Sequence, residues 1–447
     1  MKMITLLRAH KGVITFSLLV AFYTLWFTLI GEAGPFVFLV WFVTFMLLFG
    51  SQVFWIARVL DVVERLIPGK PRRVWLAIAA AVLYAFFFFS FNFAPLKRLF
   101  AGHAINNSDP RFYRTVIDGV FSIWLVGSFI GFVLFVLFWT ADRLTRGAIL
   151  LYRKMVRTGE HAKSPESAAL PLSTRRRWLR QMVLAVSAAP FGAAVYGLFY
   201  ERVHVEVTRR RISLSRLPKS FERFRIAQLS DIHISSFMPA EEIRRCVAMT
   251  NQLRADLIVL TGDYVSWDPA GQADVVSALA GLHAIHGVFG CLGNHETITH
   301  TEASITQMFA ERGIRILRQE RAPIRVGDDN LNLIGVDDSL EDLRAIQPLI
   351  TSESVNILLC HGPSSFDDAV KLGIDLTLAG HTHGGQLSLE FLRRGLCLSR
   401  LETPYVSGSY EKSGHYLYVN RGIGTTMIPI RLGARPEITV FELTREV

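Results

Sequence analysis

The chain has 447 residues, enough for two or three domains; 51% are hydrophobic, 32 are phenylalanine, and mean hydropathy is +0.32. That composition points to a membrane part and argues against a wholly water-soluble protein. The net charge of +10 is unevenly spread: residues 1–200 hold 22 Lys+Arg against 8 Asp+Glu, and residues 201–447 hold 26 against 30. The basic surplus therefore belongs to the apolar half, as cationic loops beside anionic lipid require. A slightly acidic second half argues against a nucleic-acid partner, which would need a basic face there.

In chain order, five stretches free of charged side chains come first, at 13–30, 36–56, 74–93, 119–139 and 181–199. About 20 apolar residues are needed to cross a bilayer as a helix, so residues 1–200 are expected to form an α-helical transmembrane bundle of four to five spans. The fifth stretch, with Pro190 and several Ala and Gly, is a short span or an interfacial helix. Lys and Arg set the orientation. The loop at 31–35 has none, whereas 57–73 has Arg58, Arg65, Lys70, Arg72 and Arg73, and 141–178 has nine. These place the N-terminus and 141–178 in the cytoplasm and everything after Tyr200 outside, in a multi-pass protein of the inner or plasma membrane. Lys97, Arg98, Arg111 and Arg114 run against the rule. Thr174-Arg175-Arg176-Arg177-Trp178-Leu179-Arg180 before an apolar run resembles a twin-arginine export signal, and reads equally as an ordinary cytoplasmic anchor.

Residues 201–221, with Arg209-Arg210-Arg211, read as a basic linker. From 222 to 447 short β-rich runs alternate with amphipathic stretches, an α/β pattern. The expected strands are Arg225–Leu229, Leu257–Leu260, Val288–Leu292, Leu331–Val336, Val355–Cys360, Leu376–Ala379, Tyr416–Asn420 and Ile438–Leu443. Helices are expected within 240–253, 270–285 and 301–312. Strands buried on both faces read as continuous apolar runs, as these do.

Five polar clusters follow those strands: Ser230-Asp231-Ile232-His233, Gly262-Asp263, Gly293-Asn294-His295-Glu296, Cys360-His361-Gly362 and Gly380-His381-Thr382-His383-Gly384. Ligands in α/β sheets bind beyond the carboxyl ends of strands, so clusters distant in sequence can converge. Imidazole together with carboxylate favours Zn, Mn or Fe over Mg or Ca. A carboxylate such as Asp263 can bridge two divalent ions ~3.5–4 Å apart. Such a pair lowers the pKa of a bridging water and stabilises the attacking and leaving oxygens at phosphorus. Singly each motif is weak; five in order, with seven possible ligands, are specific.

As an ordered set, D-x-H, G-D, G-N-H-E, H-G and G-H-T-H resemble the signature of the calcineurin-like metallophosphoesterases, over about residues 222–443. The resemblance implies a double β-sandwich flanked by helices. It also implies two divalent metals, one held by Asp231, His233 and His383 and one by Asn294, His361 and His381, with Asp263 between them. His295 matches the histidine that protonates the leaving oxygen, and Glu296 is expected to orient it. The runs 224–233, Gly380–Gln386 and 420–424 resemble a bacterial membrane-anchored or exported subgroup. Some relatives in it hydrolyse the pyrophosphate of UDP-diacylglucosamine.

His283, His286, His300 and His415 lie outside the clusters and read as structural or solvated. Cys360 is expected to point to the face of its strand opposite His361. The four cysteines have no CxxC spacing and form neither a zinc ribbon nor a disulfide framework. There is no P-loop and no GxSxG elbow. The expected function is hydrolysis of a phosphodiester or pyrophosphate bond by a metal-bridging hydroxide, on a membrane lipid, lipid-linked or cell-envelope substrate. The apolar and basic stretch 387–406 reads either as a segment that rests on the lipid surface and feeds headgroups to the metals or as a β-hairpin packed into the fold. The competing reading is a membrane transporter or sensor with a regulatory phosphoesterase domain. Against it, none of the five spans carries an internal ionisable residue.

Overall fold

The computed structural model describes residues 47, 48, 50–58, 110–156, 172–338, 340, 342–388 and 397–445. The chain divides into two compact units, Met1–Tyr84 with Ser128–Ala188, and Ala85–Gly127 with Ala189–Val447. The division therefore falls within two long helices rather than at residue 200. These are α1 (Pro110–Val156) and α2 (Leu172–Phe199), the latter passing through Pro190 without ending.

Within them the segments Asp118–Tyr152 and Gln181–Val203 are long and apolar enough to cross a membrane. They contain the spans expected at 119–139 and 181–199. These two are the number among the described residues, short of the four to five expected. The spans at 13–30 and 74–93, and most of 36–56, lie outside the described residues. In the first unit, helical residues 50–58 pack on α1. Gln52 Nε2 donates to Ser128 Oγ at 2.7 Å and Trp55 Nε1 to the Ser128 carbonyl at 2.9 Å. Such bonds satisfy polar groups that lipid would leave bare.

The second unit holds two six-stranded sheets. One has the order β1 (Glu206–Leu214), β12 (Glu437–Arg445), β2 (Arg225–Leu229), β3 (Leu257–Thr261), β4 (Val288–Cys291), β5 (Ile314–Ile316). The other runs β10 (Gly408–Lys412), β11 (His415–Val419), β9 (Leu376–Ala379), β8 (Asn356–Leu359), β7 (Asp329–Gly335), β6 (Glu320–Val326). Strands β2 to β5 are parallel, as are β7, β8, β9 and β11.

Strand parity builds the layers. Leu257 and Val259 of β3 point into the core between the sheets with Ile357 and Leu359 of β8. Ile258 and Leu260 point the other way, onto α3 (Ala240–Gln252), α4 (Gln272–Leu279) and α6 (Glu302–Ala310). On the outer face of the second sheet Leu358 and Cys360 pack with Phe366 and Ala369 of α7 (Phe366–Lys371). The expected sandwich of two sheets with helices on its flanks is the observed one, and Cys360 faces away from the site.

All eight expected strands are present. The four strands the hydropathy pattern missed, β1, β5, β6 and β10, are the two edges of each sheet. An edge strand need not be apolar on both faces: β1 buries only Ile212 and Leu214 fully, and β10 buries none. The correction matters most for 206–214. Expected within a basic linker, these residues pair along nine positions with β12 and belong to the first sheet.

Candidate metal centre

The polar clusters do converge, because the parallel strands of both sheets end at one edge of the sandwich. Asp231 and His233 follow β2, and Asp263 follows β3. Asn294 and His295 open α5 (Asn294–Ile298) just beyond β4, while His361 and His381 lie directly after β8 and β9. Close backbone approach requires small residues. A Cβ on Gly293 would lie 2.2 Å from Asp263 Oδ1, and one on Gly380 would lie 1.9 Å from Ser230 Oγ.

Twelve non-glycine residues among those described have positive φ, and five of them are Asp231 (+50°), His233 (+48°), Asp263 (+56°), His381 (+73°) and His383 (+51°). Each costs about 1–3 kcal/mol and persists only where surrounding structure enforces it. Strain is thus concentrated on the expected ligands.

The donor atoms face one another. His233 Nε2 lies 3.0 Å from His383 Nε2, 3.3 Å from Asp263 Oδ2, and His383 Nε2 lies 3.4 Å from Asp231 Oδ1. Asp263 Oδ2 is also 3.2 Å from His361 Nε2, so this one oxygen stands between two imidazoles. Its other oxygen accepts from the His295 backbone N–H at 2.9 Å. On the far side His381 Nδ1 is 3.0 Å from Asn294 Oδ1.

These residues fit divalent cations. His361 is wholly buried, and its Nδ1 lies 2.7 Å from the Thr261 carbonyl, which makes Nδ1 the donor. Nε2 has no hydrogen-bond partner and is aimed at a carboxylate oxygen; burial opposes charge on this ring, but the Asp263 carboxylate outweighs it and holds the imidazole well above its usual range. Nε2 and Oδ2 at that separation call for a positive charge between them, supplied by a proton or by a metal cation. His381 repeats the pattern. Its Nε2 is 3.0 Å from Glu402 Oε1, and with the ring proton on Nε2 the Nδ1 and Asn294 Oδ1 atoms meet as two acceptors. Burial pushes His233 down to about 3 and, together with the ring of His233, holds His383 well below the usual imidazole range. Both rings are therefore neutral and able to ligate. Burial also opposes ionisation of Asp263, but the His361 ring, through its charge and close contact, outweighs it and keeps the carboxylate charged.

Two roles differ from expectation. Glu296 does not touch the His295 ring. Its buried carboxylate accepts the backbone N–H groups of Gly293 (2.9 Å), Asp263 (3.0 Å), Tyr264 (2.8 Å) and Val265 (3.1 Å). Burial and the Asp263 charge push it up to about 7. It fastens the β3 loop to α5, because four converging amides are a better partner than one ring. His295 is oriented instead by the Ser266 carbonyl, 2.6 Å from Nδ1, and by Trp267, whose ring meets it edge-on at 4.7 Å.

Glu402, Ser266 and Trp267 were missed by motif reading, since they lie in loops and belong to no spaced pattern. Of the other histidines, His415 bonds the Ile374 carbonyl and His286 lies against Phe224.

Comparison with known proteins agrees with this geometry. A family model described as calcineurin-like phosphoesterase matches residues 224–385. The chain is 30% identical to the uncharacterized metallophosphoesterase YkuE of Bacillus subtilis over 284 residues, 60% of this chain and 97% of that one. It is likewise 30% identical to phosphodiesterase YaeI of Escherichia coli over 278 residues, 60% of this chain and 99% of the relative. A transmembrane protein with metallophosphoesterase domain from Danio rerio is 30% identical over 62% of this chain and 65% of its own length.

Proposed function

The chain belongs to the calcineurin-like phosphoesterase family and is a phosphoester hydrolase, and from that premise we propose that it cleaves a phosphodiester or pyrophosphate bond with two divalent cations. The observation that carries this is Asp263 Oδ2, set 3.3 Å from His233 Nε2 and 3.2 Å from His361 Nε2. Asp231, His233 and His383 would hold one ion and Asn294, His361 and His381 the other, with Asp263 shared. When bound, Mn, Fe or Zn at such a site supplies Lewis-acid charge that activates water near neutral pH and stabilises the leaving oxygen.

His295 holds the proton for the leaving group. Its Nδ1–H is donated to the Ser266 carbonyl, which supports charge on the ring and leaves Nε2 to face the substrate. The edge-on Trp267 ring excludes water from one side of that imidazole. Expected is Mn-dependent turnover of a chromogenic phosphodiester, abolished by chelation, with kcat lowered about 10²–10⁴-fold in His295→Ala and KM little changed. Turnover insensitive to chelator would contradict the proposal. The Arg175–Arg177 run in the first turns of α2, ahead of its apolar segment, favours an extracytoplasmic catalytic domain in a multi-pass protein. Right-side-out vesicles should then hydrolyse the impermeant substrate without lysis.

For the substrate, we propose a lipid-linked phosphoester. Three features support it. Two described helices have the length and apolarity of membrane spans. Ala194 and Leu198 of α2 pack with Ile430, on the loop after β11, and with Phe237 and Leu387, on the loops that follow His233 and His383. From residue 206 on, five large apolar side chains are exposed among those described. Four of them, Trp267, Ile298, Leu401 and Met427, lie on segments that carry or touch the site. A collar of this kind is suited to the interface of a bilayer. In Trp267→Ser/Met427→Ser, turnover of a vesicle-embedded phosphodiester is expected to fall several-fold more than turnover of the soluble one; equal effects on both would sink the lipid assignment. The expected feeding segment 387–406 lies partly outside the described residues, at 389–396.

A further inference from the structure

Among all the fully buried side chains described, the largest is charged: Arg431, with no exposure. No carboxylate lies within ion-pair reach of it among the described residues. A guanidinium without such a partner is costly to bury, so its surroundings must compensate closely. They do so with backbone carbonyls, backed by the more distant charges of Asp231, Glu437 and Glu201. Nε donates to the Gly424 carbonyl at 3.1 Å and Nη1 to Ala434 at 2.9 Å. Nη2 donates to Arg421 at 2.8 Å, Gly422 at 3.1 Å and Gly424 at 2.5 Å. One rigid fork thereby gathers the loop after β11 into a single shape.

That loop is the floor of one half of the metal centre. The Gly424 N–H donates to the Asp231 carbonyl at 2.7 Å, and the Ile423 N–H to Ser230 at 3.0 Å. Gly422 has φ +68°, and a Cβ there would come within 2.5 Å of the Asp231 Cβ. Arg431 Nη2 itself sits 3.3 Å from His383 Nδ1, against the back of the ring whose Nε2 faces His233. The same loop is tied to the end of α2. Arg431 N–H points at the Gly197 carbonyl at 3.4 Å, and Gly433 N–H donates to the buried Glu201 carboxylate at 2.8 Å.

We infer that Arg431 is a positioning residue for the Asp231–His233–His383 half of the metal centre, and that the carboxyl end of α2 braces it. The inference rests on the reading that those three residues ligate a cation. It assigns to the apolar helix a second duty beyond anchoring: it shares the loop that sets where Asp231 and His383 stand.

The test uses the full chain in detergent or nanodiscs, titrated calorimetrically with Mn²⁺, with bound metal counted by elemental analysis. In Arg431→Met at least one Mn²⁺ is expected to bind roughly 10–100-fold more weakly, the range for residues that support metal ligands. Hydrolysis of a soluble phosphodiester should return at raised Mn²⁺ with KM unchanged, which a general loss of structure would not produce. Arg431→Lys should fall between the two, since an ammonium has donors but no planar fork. Gly197→Ala, whose Cβ would meet the Arg431 carbonyl at 2.5 Å, and Glu201→Gln should weaken Mn²⁺ binding in the same direction by less. Unchanged Mn²⁺ affinity in folded Arg431→Met overturns the inference. Should that variant fail to fold, unchanged affinity in both Arg431→Lys and Gly197→Ala does so. If Asp263→Ala also binds Mn²⁺ normally, the metal reading itself has failed, and the two failures are thereby told apart.

Discussion

Asp263→Ala is expected to lower hydrolysis by roughly three orders of magnitude or more, about 4 kcal/mol of transition-state stabilisation, with loss of bound metal. Among the described residues no other carboxylate stands within 3.5 Å of imidazole nitrogens from both sheets, His233 after β2 and His361 after β8. Its second oxygen holds the backbone of His295, so truncation also loosens the proposed proton donor. Asp263→Asn keeps the shape and the bond to His295 but removes the charge that, on the proposed reading, would offset two cations. It should fold like the parent and still lose turnover. The check is elemental analysis of purified protein beside phosphodiester turnover across a Mn²⁺ series. A variant that keeps both its metal and its rate would refute the assignment of Asp263 as the shared ligand.

The second large effect is on stability. Glu296→Ala removes the acceptor of four buried N–H groups, from Gly293, Asp263, Tyr264 and Val265. Each orphaned amide costs about 1–3 kcal/mol. Partial relaxation and water entry make a net loss of about 3–5 kcal/mol reasonable, and at ~2–4 °C per kcal/mol for a domain of this size the melting temperature should fall by about 10 °C. Glu296→Gln offers one carbonyl oxygen and sets its own N–H₂ against the remaining amides, so it should lie between. The contrast with the role expected from the motif is measurable. A carboxylate orienting His295 would alter the pH profile of kcat in Glu296→Gln; one that fastens the loop lowers thermal stability and leaves that profile in place.

Much of this protein was legible from residue order. Asp231, His233, Asp263, Asn294, His361, His381 and His383 were all found as polar positions directly after apolar runs, and the structure brings them to one edge. Local chemistry suffices there, because a chain leaving a buried strand changes abruptly from apolar to polar, and D-x-H or G-H-T-H marks that change in the sequence itself. The same reasoning located β2, β3, β4, β7, β8, β9, β11 and β12, every interior strand of both sheets.

What only the tertiary structure decided is what one sequence window does not contain. The edge strands β1, β5, β6 and β10 carry a weaker apolar signal because one side of each has no neighbouring strand, so their membership depends on pairing with distant residues, as 206–214 pairs with 437–445. The duty of Glu296 turned on where three amides of the β3 loop happen to lie. Glu402 reaches His381 and Arg431 reaches His383 across 21 and 48 positions, from loops without a motif. Sequence by itself therefore determined which atoms can ligate and which strands present them. The fold determined which neighbours hold those atoms still, since hydrogen bonds to backbone carbonyls and amides can be made by many residue types and leave no fixed spacing behind.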